Sequence, residues 1–209
     1  MYKKVIKPAF DFIAALVSLV LLSPFFLIIA IVLFFVNQRK VFFTQKRAGY
    51  NEKIFTIIKF RTLRDIYDEN GKQLPDFQRQ FAFGTLIRRL HLDEMPQLFD
   101  ILQGSSSFIG PRPLLPEYLP YYTEDQRKRH DVKPGITGLS QVNGANSLDW
   151  GERLRLDAFY AENCTCKMDL SILISTIRYI FMKPKAEKEK QLFSESFIDY
   201  YNRNTQKGI

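Results

Sequence analysis

The sequence predicts an α/β protein, mostly helical with a small β-hairpin, that an N-terminal segment attaches to a membrane. Three observations support this fold class. No residue from Phe12 to Gln38 is charged, two strand-like runs follow on either side of a short turn, and most later apolar residues recur at helical spacing. A chain of 209 residues is long enough for one globular domain plus such an anchor.

The N-terminal segment, residues 1–39, is predicted to be a re-entrant helical hairpin whose two ends stay on the cytoplasmic side of the membrane. Ser23-Pro24 falls near its middle, and Pro24 removes a backbone donor and crowds the carbonyl group of Val20, which predicts a break. Each half then has about 12 residues, or roughly 18 Å of helix, too short for a hydrocarbon core of about 30 Å. Both flanks are basic, whereas a spanning helix favours one basic flank; their cations are Lys3, Lys4, Lys7, Arg39, Lys40, Lys46 and Arg47. A single-pass helix is the alternative.

The predicted cytoplasmic domain, residues 40–185, opens with two strands. They run from Lys40 to Lys46 and from Lys53 to Arg61, with a turn at Ala48-Gly49-Tyr50-Asn51. The period of two places Lys59 and Arg61 at the end of one face, behind Phe55 and Ile57. These cations are candidates for binding an anion, and a solvated strand end is the alternative. A polar surface loop follows, from Asp65 to Gln80.

Two adjacent carboxylates, Asp93 and Glu94, are the candidate reactive groups. Pro96 suits the first turn of a helix that runs to about Leu102, so both carboxylates lie at the positive end of that helix, where a phosphate is also favoured. A preceding helical segment, from about Phe81 to Leu92, carries Arg88 and Arg89, five and four residues before Asp93. The alternative is a simple acidic helix cap.

Later segments contribute one more candidate cation and several predicted helices. Arg112 lies between Pro111 and Pro113, which stiffen its backbone for bidentate binding of phosphate. Thr123-Glu124-Asp125-Gln126 is a capping box, and His130 is predicted to be structural. Helices are predicted from Asp149 to Asn163 and from Leu170 to Phe181; the second is either a core helix, which we take as the default, or one lying in the membrane interface. Residues 186–209 are predicted to extend outside the core.

Composition narrows the class of partner. The chain has 30 Lys and Arg against 22 Asp and Glu, a net charge of +8, which suits nucleic acid, an anionic membrane or a nucleotide-sugar. No nucleic-acid-binding motif is recognisable, so nucleic acid is not a predicted partner. Cys164 and Cys166 have no second ligand pair, which argues against a structural zinc site and predicts free thiols.

Five segments together resemble the bacterial sugar transferase family, and more narrowly its small monotopic phosphoglycosyl transferases of the PglC kind. The resemblance covers residues 1–185 in unbroken order. The segments are Ser23-Pro24 in the anchor, Lys59-Phe60-Arg61-Thr62, Leu92-Asp93-Glu94-Met95-Pro96-Gln97, Phe108-Ile109-Gly110-Pro111-Arg112-Pro113 and Pro134-Gly135-Ile136-Thr137-Gly138.

The resemblance implies an enzyme that transfers a sugar phosphate from a UDP-sugar to undecaprenyl phosphate and releases UMP. Asp93 is then the nucleophile that forms a phosphosugar-aspartyl intermediate, and Glu94 assists Mg²⁺ or takes a proton. Both carboxylates would hold the metal, and the substrate-binding cations would be Lys59, Arg61, Arg88 and Arg112. By resemblance, the donor is a UDP-linked N-acetylated amino sugar such as UDP-diacetylbacillosamine, and the enzyme starts glycoconjugate assembly, protein glycosylation included, among the lipids of the bacterial inner membrane, at its cytoplasmic face.

The chain departs from the family pattern at three places. Ser105 lies where an acidic residue is common, Leu139 replaces an aromatic residue, and Ala145 replaces an arginine. These departures leave the sugar open, together with lipid length, oligomeric state and pathway. Two rival functions also remain: a metal-dependent glycosyltransferase that releases UDP, and a non-enzymatic adaptor at the membrane surface.

Overall fold

The computed structural model describes residues 1–144, 147–181 and 196–206. Its described part is mostly helical with two small sheets, which confirms the predicted fold class. After a π-helical turn at Tyr2–Ile6, the helices and strands in chain order are α1 Lys7–Val36, β1 Phe42–Ala48, β2 Ile54–Phe60, α2 Asp76–Arg79, α3 Ala82–Arg89, α4 Gln97–Leu102, β3 Ser107–Ile109, α5 Glu124–Arg127, β4 Gly135–Thr137, α6 Leu139–Val142, α7 Trp150–Asn163, α8 Cys166–Phe181 and α9 Phe197–Gln206.

Helix α1 continues through Ser23-Pro24, so the helical assignment is not interrupted where the sequence predicts a break. The carbonyl oxygen of Val20 would normally accept from the N–H group four residues later, which Pro24 lacks. Ser23 Oγ donates to that oxygen instead, at 2.8 Å. The serine hydroxyl therefore compensates for the missing donor, and the helix persists. Among the described residues, one helical segment, Tyr2–Val36, is long and apolar enough to cross a membrane.

Both ends of α1 pack on the same folded domain. Near its start, Lys7 Nζ lies 2.7 Å from Asp169 Oδ2 of α8, and Ser107 Oγ donates to Asp11 Oδ2 at 2.7 Å. Near its end, Ile29 and Leu33 join a buried cluster with Phe60 of β2 and Ile87 of α3. Between these contacts, most apolar side chains of the helix are exposed. The exposed part is the predicted membrane segment, and both of its flanks are held by one domain.

The predicted β-hairpin is present. Strands β1 and β2 pair in antiparallel fashion, from Phe42 opposite Phe60 to Ala48 opposite Ile54. A second sheet was not predicted. In it, β3 and β4 pair in parallel, with Ser107 opposite Gly135 and Ile109 opposite Thr137. The two loops that carry much of the family resemblance are therefore neighbours in space.

Helix α8 begins at Cys166, earlier than the sequence indicates, and is not buried on its apolar side. Ile172 is buried, but four apolar residues are exposed, namely Leu170, Leu173, Ile174 and Ile177. The default expectation of a core helix is therefore wrong for this face. Apolar spacing alone does not distinguish a helix face that meets a core from one that meets lipid.

The C-terminal residues that the structure describes belong to the core, contrary to the prediction for residues 186–209. Phe197, the first residue of α9, is 1% exposed and packs in a buried cluster with Leu114, Tyr118, Tyr122 and Leu154. The charged stretch before it suggested an extension, but the aromatic side chains of α9 bury enough apolar surface to dock it. The rest of the predicted extension lies outside the described residues.

Candidate active site

The acid pair lies in a short 3₁₀ turn between α3 and α4. His91 has a left-handed backbone conformation, with φ of 57°, which ends α3 and starts the turn Leu92–Glu94. Pro96 then takes the position just before α4, as its missing N–H group favours. The predicted helix after the pair is confirmed. This geometry places both carboxylates at the start of α4.

Glu94 is held by two cations that come from distant parts of the chain. Lys59 Nζ of β2 lies 2.5 Å from Glu94 Oε1, and Arg112 Nη2 donates to the same oxygen at 3.3 Å. Burial acts to raise the pKa of Glu94, but the charges of Arg112 and Lys59 outweigh it and hold the pKa below its usual range. Glu94 is therefore a fixed carboxylate at neutral pH.

Asp93 has a different environment from its neighbour. It forms no ion pair within 4.0 Å among the described residues. Burial, and next the charge of Glu94, raise the pKa of Asp93, while Lys59 and Arg88 act in the opposite direction. Adjacent carboxyl groups whose pKa values move apart are suited to different chemical roles. Asp93 has the more basic carboxylate, and no cationic side chain in the described part of the chain is paired with it.

The structure brings three of the four predicted binding cations to the acid pair. Lys59 and Arg112 contact Glu94, and the charge of Arg88 acts on Asp93 while its guanidinium lies 3.8 Å from Asp76. Arg61 is elsewhere. Its Nη1 contacts both carboxylate oxygens of Asp65, at 2.8 and 2.9 Å, and its Nε donates to the carbonyl oxygen of Phe42. Strand periodicity placed Arg61 on the face of Lys59, but it lies beyond the end of β2, where a local carboxylate binds it.

A buried ion pair holds the backbone of Arg112. Arg129 and Asp157 are 2% and 1% exposed, with Arg129 Nη2 2.7 Å from Asp157 Oδ2. The same nitrogen donates to the carbonyl oxygen of Arg112 at 2.6 Å. The other oxygen of Asp157 accepts from Ser140 Oγ of α6 at 2.7 Å. One buried network thus joins the Arg112 loop to α6, and the sequence contained no local signal for it.

Close backbone contacts lock the two motif loops together. A Cβ atom added to Gly138 would lie 2.1 Å from the carbonyl oxygen of Gly110, and one added to Gly135 would lie 2.1 Å from the Gly110 backbone nitrogen. Only glycine allows this approach. The pairing of β3 with β4 therefore fixes Arg112, two residues after Gly110, relative to the start of α6.

A cavity of about 310 Å³ opens beside Glu94 and Arg112. This is the lower end of the size range for small-molecule sites. Its remaining lining residues come from four segments, and they are His91, Ile136, Thr137, Ser140, Gln141, Val142, Arg153, Thr176 and Tyr179. Sequence reasoning missed Arg153 and Thr176, which are on helices α7 and α8. Thr137 lay within a quoted motif, but its role was not identified.

His130 is buried away from the acid pair, as its predicted structural role requires. Its Nδ1 lies 3.0 Å from the carbonyl oxygen of Gly49. Burial, with the nearby charge of Arg129, lowers the pKa of His130 to about 4. The ring is therefore neutral at physiological pH.

The acid pair fits Mg²⁺ only as part of a site that the substrate completes. The described residues contain no cluster of three or more metal-ligating side chains. Mg²⁺ is commonly bound by one or two carboxylates together with substrate phosphates. Asp93 and Glu94 supply such carboxylates at the edge of the cavity, although Glu94 already contacts two cations.

Fold and site together define a class of protein. An apolar N-terminal helix is packed on an α/β domain, and that domain sets an acid pair among lysine and arginine side chains at the edge of a cavity. This is the arrangement of a membrane-associated enzyme that acts on a charged substrate.

The chain belongs to the bacterial sugar transferase family, whose model matches residues 2–183. It is 42% identical over 193 residues to the uncharacterized sugar transferase EpsL of Bacillus subtilis, covering 92% of this chain and 96% of that relative. It is 34% identical to the exopolysaccharide production protein ExoY of Rhizobium meliloti, covering 82% and 83% of the two chains. It is also 31% identical to the undecaprenyl-phosphate galactose phosphotransferase of Salmonella typhimurium, covering 87% of this chain and 41% of that relative.

Proposed function

We propose that this protein transfers a sugar 1-phosphate from a UDP-sugar to undecaprenyl phosphate at a membrane surface, and releases UMP. The family membership supports a sugar transferase, and the similar protein from Salmonella typhimurium is named for transfer to undecaprenyl phosphate. A relative from Xanthomonas campestris is named a UDP-glucose:undecaprenyl-phosphate glucose-1-phosphate transferase. Both names describe the same kind of transfer.

The observation that carries this proposal is the unequal environment of the two carboxylates. Glu94 is in contact with Lys59 and Arg112, whereas Asp93 forms no such ion pair with a residue that the structure describes, and its pKa is raised. A nucleophile needs available lone pairs and basicity, and a neighbouring charged partner needs a fixed position. We therefore assign Asp93 as the nucleophile and Glu94 as its partner.

The reaction then has two displacement steps at phosphorus. Asp93 forms a bond to the phosphorus next to the sugar as the bond between the two phosphates breaks, and UMP leaves. An oxygen of the lipid phosphate next attacks the same phosphorus, and the Asp93 carboxylate is regenerated. Glu94 takes the proton if the lipid phosphate carries one. Two steps let the water-soluble donor and the lipid acceptor use one site in turn.

The cations around the pair would stabilise charge as it develops. Arg112 and Lys59 already lie within contact of Glu94, and Arg88 acts on Asp93 from α3. Prearranged positive groups stabilise transition-state charge most strongly where water is excluded. Bound Mg²⁺, held by Asp93 and Glu94 together with substrate phosphates, would reduce the repulsion between the nucleophile and the diphosphate.

We place the domain at the cytoplasmic face of the bacterial inner membrane, with α1 as a re-entrant, monotopic anchor. Both ends of α1 contact the same domain, as a helix that returns to its own side of the membrane requires. The exposed apolar face of α8 would lie in the interface beside it. This arrangement seats the acid pair near the lipid headgroups, where the acceptor phosphate lies.

The donor we favour is a UDP-linked N-acetylated amino sugar, such as UDP-diacetylbacillosamine, used for the first membrane step of glycoconjugate assembly such as protein glycosylation. Relatives differ in the sugar that their names give. One from Aeromonas hydrophila is named for UDP-N-acetylgalactosamine, and others are named for galactose or glucose. A panel of donors is therefore part of the test.

The test is to incubate the full chain, in nanodiscs with Mg²⁺ and undecaprenyl phosphate, with each UDP-sugar and to identify the released nucleotide. We expect UMP from at least one donor, and no UMP from Asp93→Asn. Asp125→Asn is the matched control, because that carboxylate is exposed and is not among the residues that line the cavity. Arg112→Ala should reduce turnover by about 10²–10³-fold.

Other products would point to other functions. Release of UDP would mean that the sugar moves without its phosphate, as in a glycosyltransferase. A lack of nucleotide release from every donor, with full membrane binding, would favour a non-enzymatic adaptor. UMP release that survives Asp93→Asn would remove Asp93 as the nucleophile.

A further inference from the structure

The cavity contains a second arginine that the mechanism above does not use. Arg153, on the first turns of α7, lines the cavity together with Arg112. Glu94, the carboxylate in the same lining, is already in contact with Lys59 and Arg112. Both oxygens of Asp157, one turn after Arg153, accept hydrogen bonds from Arg129 and Ser140. Arg153 therefore adds a second guanidinium to the lining of the cavity beside Arg112.

The guanidinium of Arg153 stacks on an aromatic side chain. Its guanidinium carbon lies over the ring of Trp150, 4.4 Å from the ring centroid. This is close contact for a cation–π pair, which attracts the cation to the face of the ring. Trp150 is the first residue of α7, after Asp149 caps the helix by accepting from the Glu152 N–H group. The Trp150 ring thus supports one face of the Arg153 guanidinium.

Trp150 is in turn held by the C-terminal helix. The ring centroids of Trp150 and Phe197 are 5.3 Å apart, and Tyr118 packs edge-on against both rings. Tyr200, one turn along α9, lies over the start of α7, where a Cβ atom on Gly151 would be 2.8 Å from its hydroxyl oxygen. A continuous series of contacts therefore runs from α9 through Trp150 to Arg153 and the cavity.

We propose that Arg153 binds the diphosphate of the nucleotide-linked donor, and that α9 positions it through the contact of Phe197 with Trp150. The planar guanidinium fork matches phosphate oxygens in a bidentate way. A diphosphate is the donor group that two arginines lining one cavity suit best. This proposal rests on the proposed function only in taking a UDP-linked donor as the ligand. It also gives the C-terminal helix a role in substrate binding.

Trp150 is the single tryptophan of the chain, so its fluorescence reports on this site alone. We would titrate the full-length protein in detergent micelles, which contribute no tryptophan, with UDP and excite at the red edge of the tryptophan absorption, where uridine does not absorb. Equilibrium dialysis with labelled UDP would give the same dissociation constant independently. Arg153→Met should weaken UDP binding by about 10- to 100-fold, as expected for a charge-assisted contact.

Matched variants separate the local role from general damage. Arg155→Met removes the same charge from the same helix, at an exposed residue that pairs with Glu152, and should bind UDP as the wild type does. Phe197→Leu should weaken binding by roughly threefold to tenfold, because it loosens the support of Trp150 without emptying the core. Phe159→Leu makes the same change at an exposed position of α7 and should have no effect.

Each result decides a part of the proposal. Wild-type affinity in Arg153→Met, or no UDP binding by the wild type in either assay, would overturn the binding role. Wild-type affinity in Phe197→Leu, with weak binding in Arg153→Met, would overturn the role of α9. UDP binding that requires Arg153, in a protein that releases no UMP from any donor, would support this proposal while contradicting the proposed function.

Discussion

The buried pair of Arg129 and Asp157 should control both the stability of the domain and the position of Arg112. Asp157→Asn keeps the size of the side chain but removes its charge, so Arg129 is left buried without a counter-ion. Breaking a buried pair by removing one partner costs about 3–5 kcal/mol. For a domain of this size, the melting temperature should fall by about 6–20 °C.

The assay is thermal unfolding of the protein in detergent micelles, followed by circular dichroism. The matched control is Glu152→Gln on the same helix, which breaks the exposed pair of Glu152 with Arg155 and should leave the melting temperature near that of the wild type. A double variant, Arg129→Met with Asp157→Leu, should recover part of the lost stability because neither buried charge remains.

Two outcomes would refute this reasoning. If Asp157→Asn and Glu152→Gln lowered the melting temperature equally, burial of the Arg129–Asp157 pair would not be the source of its effect on stability. A double variant less stable than Asp157→Asn would mean that the unpaired charge is not the source of the lost stability.

The same pair should also affect activity. UMP release by Asp157→Asn, measured below its melting temperature, should fall because Arg129 donates a hydrogen bond to the carbonyl oxygen of Arg112.

Three further predictions concern protonation and topology. Because the charge of Glu94 raises the pKa of Asp93, Glu94→Gln should lower it, and the acidic limb of the remaining UMP-release activity should move to lower pH; a limb that moves up or stays would contradict this electrostatic coupling. Burial raises the pKa of Asp100 to about 6, above its unfolded value, so its contribution to stability is present below the unfolded pKa and is lost as pH rises through about 6. Asp100→Asn should therefore raise stability above pH 6 by about 1–3 kcal/mol and flatten the pH dependence of the melting temperature, whereas unchanged melting curves would exclude a role for this carboxyl group. Cysteines at Lys4 and Arg39 should both be protected from an impermeant reagent in intact spheroplasts and both react after lysis; labelling of one alone in intact cells would establish a spanning helix.

The parts of the site that depend on nearby residues could be predicted from the sequence. Pro96 lies just before α4 and two residues after Glu94, where a helix start does not need the donor that proline lacks. The alternation of apolar residues before Lys59 placed it on a strand of a hairpin, and the structure confirms β2. Thr123 and Gln126 form the reciprocal capping contacts that their spacing predicts.

The partners of those residues could not be predicted in the same way. Lys59 meets Glu94 across 35 residues of sequence, while Arg61, two positions along, turns to Asp65. The sequence made Lys59 and Arg61 equal candidates for binding an anion. Only the packing of β2 against the turn at Leu92–Glu94 brings Lys59, and not Arg61, to Glu94. Ala145, the departure from the family pattern at a usual arginine, lies outside the described residues.

By itself the sequence determined the long apolar N-terminal segment, the β-hairpin and the placement of two carboxylates before a helix, because apolar length, period and capping act over a few neighbouring residues. Tertiary structure decided which cations reach those carboxylates, that β3 and β4 pair in parallel, and that α9 packs behind Trp150. Such contacts join residues far apart in the chain. They depend on which surfaces exclude water together, and one stretch of sequence does not contain that information.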